Sequence, residues 1–111
     1  MQASNEYVDF EDALNRIGGN ETLYKKLLGY FLNENHLEPL CDAVANGDYV
    51  SGSQLAHTIK GTCANLSLKK IKTLSAEIES GLKSGLDCTE LIDELKSAYV
   101  ITKNYIDEYI S

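Results

Sequence analysis

Apolar residues recur along this chain at the spacing of helices, and no segment shows the alternation of a half-buried strand. Asp9 is able to cap a short helix carrying Asp12 at its third position and Phe10, Ala13, Leu14 and Ile17 as its apolar face, with Gly18-Gly19 to stop it. Asn20 then caps a second helix, striped by Leu23, Tyr24, Leu27, Leu28, Phe31 and Leu32. Asn35 with Glu38 resembles a capping box and places Pro39 in a first turn, where its missing N–H costs little. Leu37, Leu40, Cys41, Val44 and Ala45 line this third segment, which either stands alone or continues the second through a kink.

Gly47-Asp48 ends that segment and caps a helix from about Tyr49 to Asn65. Ser67 is expected to cap the next helix, striped by Leu68, Ile71, Leu74, Ile78 and Leu82 and stopped by Gly85; so short a connection forces the two into an antiparallel hairpin. Asp87 with Glu90 marks another capping box, ahead of Leu91, Leu95, Ala98, Thr102, Tyr105 and Tyr109 in a long final helix. The predicted fold is all-α, an antiparallel four-helix bundle with an additional short N-terminal helix. A chain of 111 residues is expected to form a single domain over 1–111, with a core that needs no metal or disulfide, and residues 1–8 are expected to be loose.

Charge narrows the partners. A formal charge of −7 and a pI near 4.7 argue against nucleic acid or direct contact with an anionic membrane, and the small basic cluster Lys69, Lys70, Lys72 is too short to reverse that. Cys41, Cys63 and Cys88 are odd in number with no C-x-x-C spacing, and read as reduced thiols in a cytoplasmic protein. The first ten residues carry no secretory pattern, and no run approaches the roughly 18 apolar residues of a membrane span.

The candidate chemistry lies on the fourth predicted helix. At 100° per residue Leu55, Ala56, Ile59, Cys63 and Leu66 line one side, while His57, Lys60, Gly61 and Ala64 stack on another, with Gln54 one turn before the histidine. His57 therefore points away from the core, with a cation one turn on and little side-chain bulk nearby. Gly61 costs a helix interior roughly 0.5–1 kcal/mol against Ala, and close approach of a partner to His57 would account for it. Residues 57 and 79 are equally far from Leu68 at the turn, so Glu79 should lie level with His57 on the neighbouring helix. A carboxylate there can accept the Nδ1–H bond and leave Nε2 free as a nucleophile, and Lys60 can neutralise an anion held on the ring.

The segment Ala56-His57-Thr58-Ile59-Lys60-Gly61-Thr62-Cys63-Ala64-Asn65-Leu66 resembles the signature of histidine-containing phosphotransfer (HPt) domains of multistep phosphorelays: His-x-x-Lys-Gly followed by small residues and often Asn. Phe10 to Gly19, Leu27-Leu28-Gly29-Tyr30-Phe31 and Gly47-Asp48-Tyr49 extend the likeness over roughly residues 8 to 105. Two positions depart from the pattern: Ser67 stands where members often carry Gly, and Glu79 where some carry Gln. The resemblance implies a phosphorelay intermediate in which His57 accepts a phosphoryl group from a receiver-domain aspartyl-phosphate and passes it to another receiver. It further implies that Lys60 stabilises the phosphate, that Glu79 orients the ring, and that Gln54, Gly61 and Ala64 give the partner access. Response-regulator receivers, and a hybrid sensor histidine kinase behind them, are the partners so implied.

Nothing in the chain has Mg²⁺-ligand spacing or a Gly-rich nucleotide loop. The expectation is a monomer with no cofactor and no kinase or ATPase activity of its own, the receiver supplying Mg²⁺. A bundle metal protein would want repeated Glu-x-x-His pairs, but residue 54 is Gln and the second histidine, His36, lies in a poor context. The remaining alternative is a non-catalytic helical interaction module with an incidental surface His.

Overall fold

The computed structural model describes residues 5–111, which form six helices and no strand: α1 (Phe10–Arg16), α2 (Glu21–Asn33), α3 (Leu37–Ala45), α4 (Tyr49–Leu66), α5 (Lys69–Lys83) and α6 (Thr89–Ile110). The caps of α1, α2 and α4 are those the sequence predicts, whereas α3 starts after His36, which makes no side-chain cap bond. Side chains of Asp9, Asn20 and Asp48 accept the backbone N–H of Asp12, Leu23 and Ser51 at 3.0, 3.0 and 3.1 Å. Ahead of α3, Asn35 Oδ1 accepts from Glu38 N at 3.1 Å while Asn35 Nδ2 donates to Glu38 Oε2 at 2.9 Å. Extended backbone at Glu34 (ψ 133°) separates α3 from α2, so the third segment stands alone instead of continuing through a kink.

These helices assemble as an antiparallel four-helix bundle in which one strut has two parts. Tyr24 of α2 bonds through its hydroxyl to Leu66 O at the far end of α4, at 2.8 Å. Ala43 and Val44 of α3 lie beside Gly52 near the start of α4. Thus α2 and α3 run in succession along α4 and against it; α5 returns along α4, and α6 runs back along α5 to close on α2 and α3. The diagonal pair α4 and α6 makes no close backbone approach. Buried Leu28, Leu40, Ile59, Leu68, Ile71, Ile78, Leu95 and Ile106 fill the space between, and α1 covers one end, Phe10 stacking on Tyr109 at 4.3 Å.

Three local expectations are corrected. Residues 5–8 are not loose: Val8 is fully buried, Asn5 Oδ1 accepts from the N–H groups of Tyr7 and Val8, and Lys70 N donates to Tyr7 O. Residues 1–4 lie outside the described residues. Ser67 does not cap α5; it terminates α4 in the left-handed region (φ 56°), with Ser67 N bonded to Ala64 O and Leu68 N to Cys63 O, the Schellman arrangement. A glycine suits that conformation without strain; the serine is retained by its hydroxyl donating to Asp12 Oδ2 at 2.6 Å and its carbonyl accepting from Asp9 N at 3.0 Å. Finally, Asp87 caps α6 through Thr89 rather than by a box with Glu90, accepting from Thr89 N at 3.1 Å and from its hydroxyl. The thiol of Cys88 turns inward toward Ile78 O and against Gly81, and its backbone takes a positive φ of 22°, which shifts the helix start by a residue.

Candidate functional site

Burial of Ala56, Ile59 and Cys63 fixes the rotation of α4 about its own axis and turns His57 outward, its side chain 66% exposed. On α5 the fully buried Ile78 and the buried Leu82 do the same for Glu79, which faces α4 and is only 8% exposed. The hairpin register brings the two level, as the count from Leu68 requires: Gly52 lies opposite Leu82, and His57 opposite Glu79.

Glu79 is the centre of the cluster. Its Oε2 lies 3.0 Å from His57 Nδ1, its Oε1 accepts from Lys60 Nζ at 2.7 Å, and its Oε2 also accepts from Lys83 Nζ at 2.9 Å. Lys60 and then Lys83, by hydrogen bonding and by charge, hold the Glu79 carboxyl far below the usual range, at about 2, against the opposing effect of burial. A carboxylate at that distance makes Nδ1 the protonated ring nitrogen. Nε2 has no protein partner among the described residues and carries the free lone pair.

Lys60 therefore does not stand free beside the imidazole, as the spacing on α4 alone suggests; it engages Glu79. In the sequence Lys83 is one lysine among several on α5. Its signal is its position one turn after Glu79 on the same face of α5, and it becomes visible only once Glu79 is known to face α4. Around the ring there is room. A Cβ added at Gly61 would meet no atom within 4 Å, Gln54 is exposed, and Ala64 is small and half-buried. His36 lies apart, between α2 and α3, paired with Glu34 at 2.8 Å. No group of three or more His, Cys, Asp or Glu side chains able to hold a metal occurs among the described residues.

His57 stands two-thirds exposed on a helix face, which suits a large partner better than a small molecule. A groove of about 770 Å³ lies elsewhere, between the end of α5 and the start of α6, lined by Gly81, Leu86, Cys88 and Glu90. Between α2 and α4, a groove of about 290 Å³ is lined by Leu27, Tyr30, Phe31 and Leu66 with the polar Glu34, Thr62 and Asn65; Tyr30 is half exposed. Surface of mixed apolar and polar character thus lies on the α2 side of α4, and charged surface on its α5 side.

A family model described as the Hpt domain matches residues 26–104. The chain belongs to the Hpt domain family. The match runs from within α2 to within α6 and includes all of α3, α4 and α5, hence every residue of the Glu79 cluster. No curated protein and no solved structure matched the chain. As an Hpt domain the chain has a general phosphotransfer role in relay signalling; Hpt domains are phosphotransfer intermediates and interact generally with receiver domains and kinases. No helix among the described residues is long and apolar enough to cross a membrane.

Proposed function

We propose that His57 is the phosphoacceptor, taking a phosphoryl group from the aspartyl-phosphate of one receiver domain and giving it to the aspartate of another. The observation that carries this reading is an imidazole two-thirds exposed on a bundle face, with Nδ1 bonded to a nearly buried carboxylate and Nε2 open. The Nε2 lone pair attacks phosphorus in line, the bond from phosphorus to the aspartyl oxygen breaks, and its electron pair leaves with the carboxylate. Nδ1 keeps its proton, so the ring carries the positive charge that Glu79 offsets.

Lys60 lies one turn from His57 and one hydrogen bond from Glu79, within reach of an anion on the ring. Mg²⁺ and the in-line acceptor geometry come from the receiver, and the chain contributes a nucleophile and a docking face. Gln54, Gly61 and Ala64 keep that face low enough for the receiver's active-site loops to descend on Nε2. The groove beside Tyr30 and Leu27, part apolar and part polar, offers the receiver contact area on the α2 side.

The test is incubation with a phosphorylated receiver. Wild type should acquire acid-labile, base-stable phosphate, and His57→Gln should acquire none while unfolding at nearly the same temperature, since the side chain holds no core together. Label on the variant at wild-type level would overturn the assignment.

A further inference from the structure

The inference drawn here rests on His57 being the acceptor and concerns what happens to the ring once it is phosphorylated. A ring substituted on Nε2 that keeps its Nδ1 proton is a cation, and breaking its bond to phosphorus releases neutral imidazole. Without that proton the leaving group would be an imidazolate, a far stronger base, and transfer would slow accordingly. The proton on Nδ1 thus decides whether the phosphoryl group can be passed on. Imidazole rings in water gain and lose a proton near neutral pH, so a phosphohistidine without a partner forfeits part of its transfer competence as pH rises.

Glu79 is placed to hold that proton. Its Oε2 is 3.0 Å from Nδ1, its side chain is nearly buried, where charges are weakly screened by solvent, and Lys60 and Lys83 clamp both oxygens so that it stays ionised. A glutamine could accept the same hydrogen bond but would bring no charge. Facing the ring from α4 is Lys60, and from α5 Glu79 and Lys83; on its other flank α4 presents the uncharged Gln54, Thr58 and Gly61.

We propose that Glu79 is a proton lock on phosphorylated His57: its negative charge keeps Nδ1 protonated, so the phosphoryl group remains transferable at pH values where an unsupported phosphohistidine would not release it. When the acceptor carboxylate attacks phosphorus, the bond to Nε2 breaks and its electron pair returns to Nε2. The Nδ1 proton stays where it was and Glu79 remains a carboxylate. A dianionic phosphoryl group on Nε2 also gives the two lysines a second anion to bind. Any lysine that turns toward it leaves more of the Glu79 charge for the ring.

The experiment phosphorylates the chain with phosphoramidate, so that no receiver is needed, and follows the ring ¹⁵N shifts and the hydrolysis rate against pH. Wild type is compared with Glu79→Gln and with the phosphorylated peptide of residues 55–65, which lacks any Glu79 and needs no fold. The Nδ1 midpoint of wild type should lie at least about one unit, a tenfold change in proton affinity, above both, with hydrolysis falling off at correspondingly higher pH. Coincident midpoints in labelled wild type and Glu79→Gln would overturn the proposal and leave Glu79 an orienting hydrogen-bond acceptor. If the variant is unfolded by circular dichroism, coincidence of wild type with the peptide overturns it equally. A wild-type chain that takes up no phosphate from either phosphoramidate or a phosphorylated receiver would overturn the acceptor reading itself, and this inference with it.

Discussion

Replacing Gly61 separates stability from function. Gly61 is the thirteenth of the eighteen residues of α4, its φ lies outside the left-handed region, and an added Cβ would have open space around it. Alanine there introduces no strain and no clash, and it removes backbone freedom from the unfolded chain. Gly61→Ala should therefore stabilise the domain by roughly 0.5–1 kcal/mol. With an unfolding entropy of about 2.1 cal/mol/K per residue, a chain of 111 residues loses about 0.23 kcal/mol per kelvin near its midpoint, so Tm should rise by about 2–4 °C. Transfer should move the other way. The methyl group stands one turn from His57 on the face proposed to meet the receiver, and a displacement on the order of 1 Å can cost about 10²-fold in rate. Rapid-quench transfer from a phosphorylated receiver should thus fall modestly with Ala and steeply with Gln, whereas labelling by phosphoramidate should change little. A lower Tm for Gly61→Ala would refute the stability argument, and equal receiver transfer by Gly61→Gln and wild type would refute the steric one.

Lys60→Ala should slow transfer in both directions by about tenfold or more, the equivalent of a charge-assisted hydrogen bond of about 1.5 kcal/mol, with Lys60→Arg milder; identical rates for wild type and Lys60→Ala would make Lys60 a bystander. Glu79 also couples stability to pH. Its folded pKa is depressed from 4.5 to about 2, so its contribution is fully present above about pH 4.5 and is lost as pH falls toward 2. Urea titrations should show the stability gap between wild type and Glu79→Gln shrinking from about pH 6 to about pH 3; a constant gap would contradict this. Gly81→Ala should destabilise the domain by about 1–3 kcal/mol, because its Cβ would stand 2.5 Å from Cys88 Sγ. In a Cys88→Ala background most of that loss should vanish, and an unchanged loss would place the cause elsewhere.

Helical periodicity in the sequence sufficed for the helical class, the apolar segments that become the helices and the outward aim of His57, because each depends only on which residues share a face of one helix; the break between α2 and α3 was left to the structure. Counting from Leu68 even placed Glu79 level with His57, since a tight connection leaves two antiparallel helices a single register. What no count could supply is what surrounds a side chain once several helices converge on it. Glu79 is one of two acids on α5, beside Glu77, but only packing buries it and closes Lys60, Lys83 and the imidazole on its carboxylate. Ser67 looks like an N-cap in sequence, yet the geometry of the α4–α5 turn puts it in the left-handed region and gives its hydroxyl to Asp12, fifty-five residues away. Cys88 and Gly81 read separately as a thiol and a helix glycine; the fold presses one against the other and so displaces the start of α6. Helical pattern is written in residues three and four apart, whereas burial, ion pairing and backbone strain depend on partners distant in sequence, and the tertiary structure alone chose those.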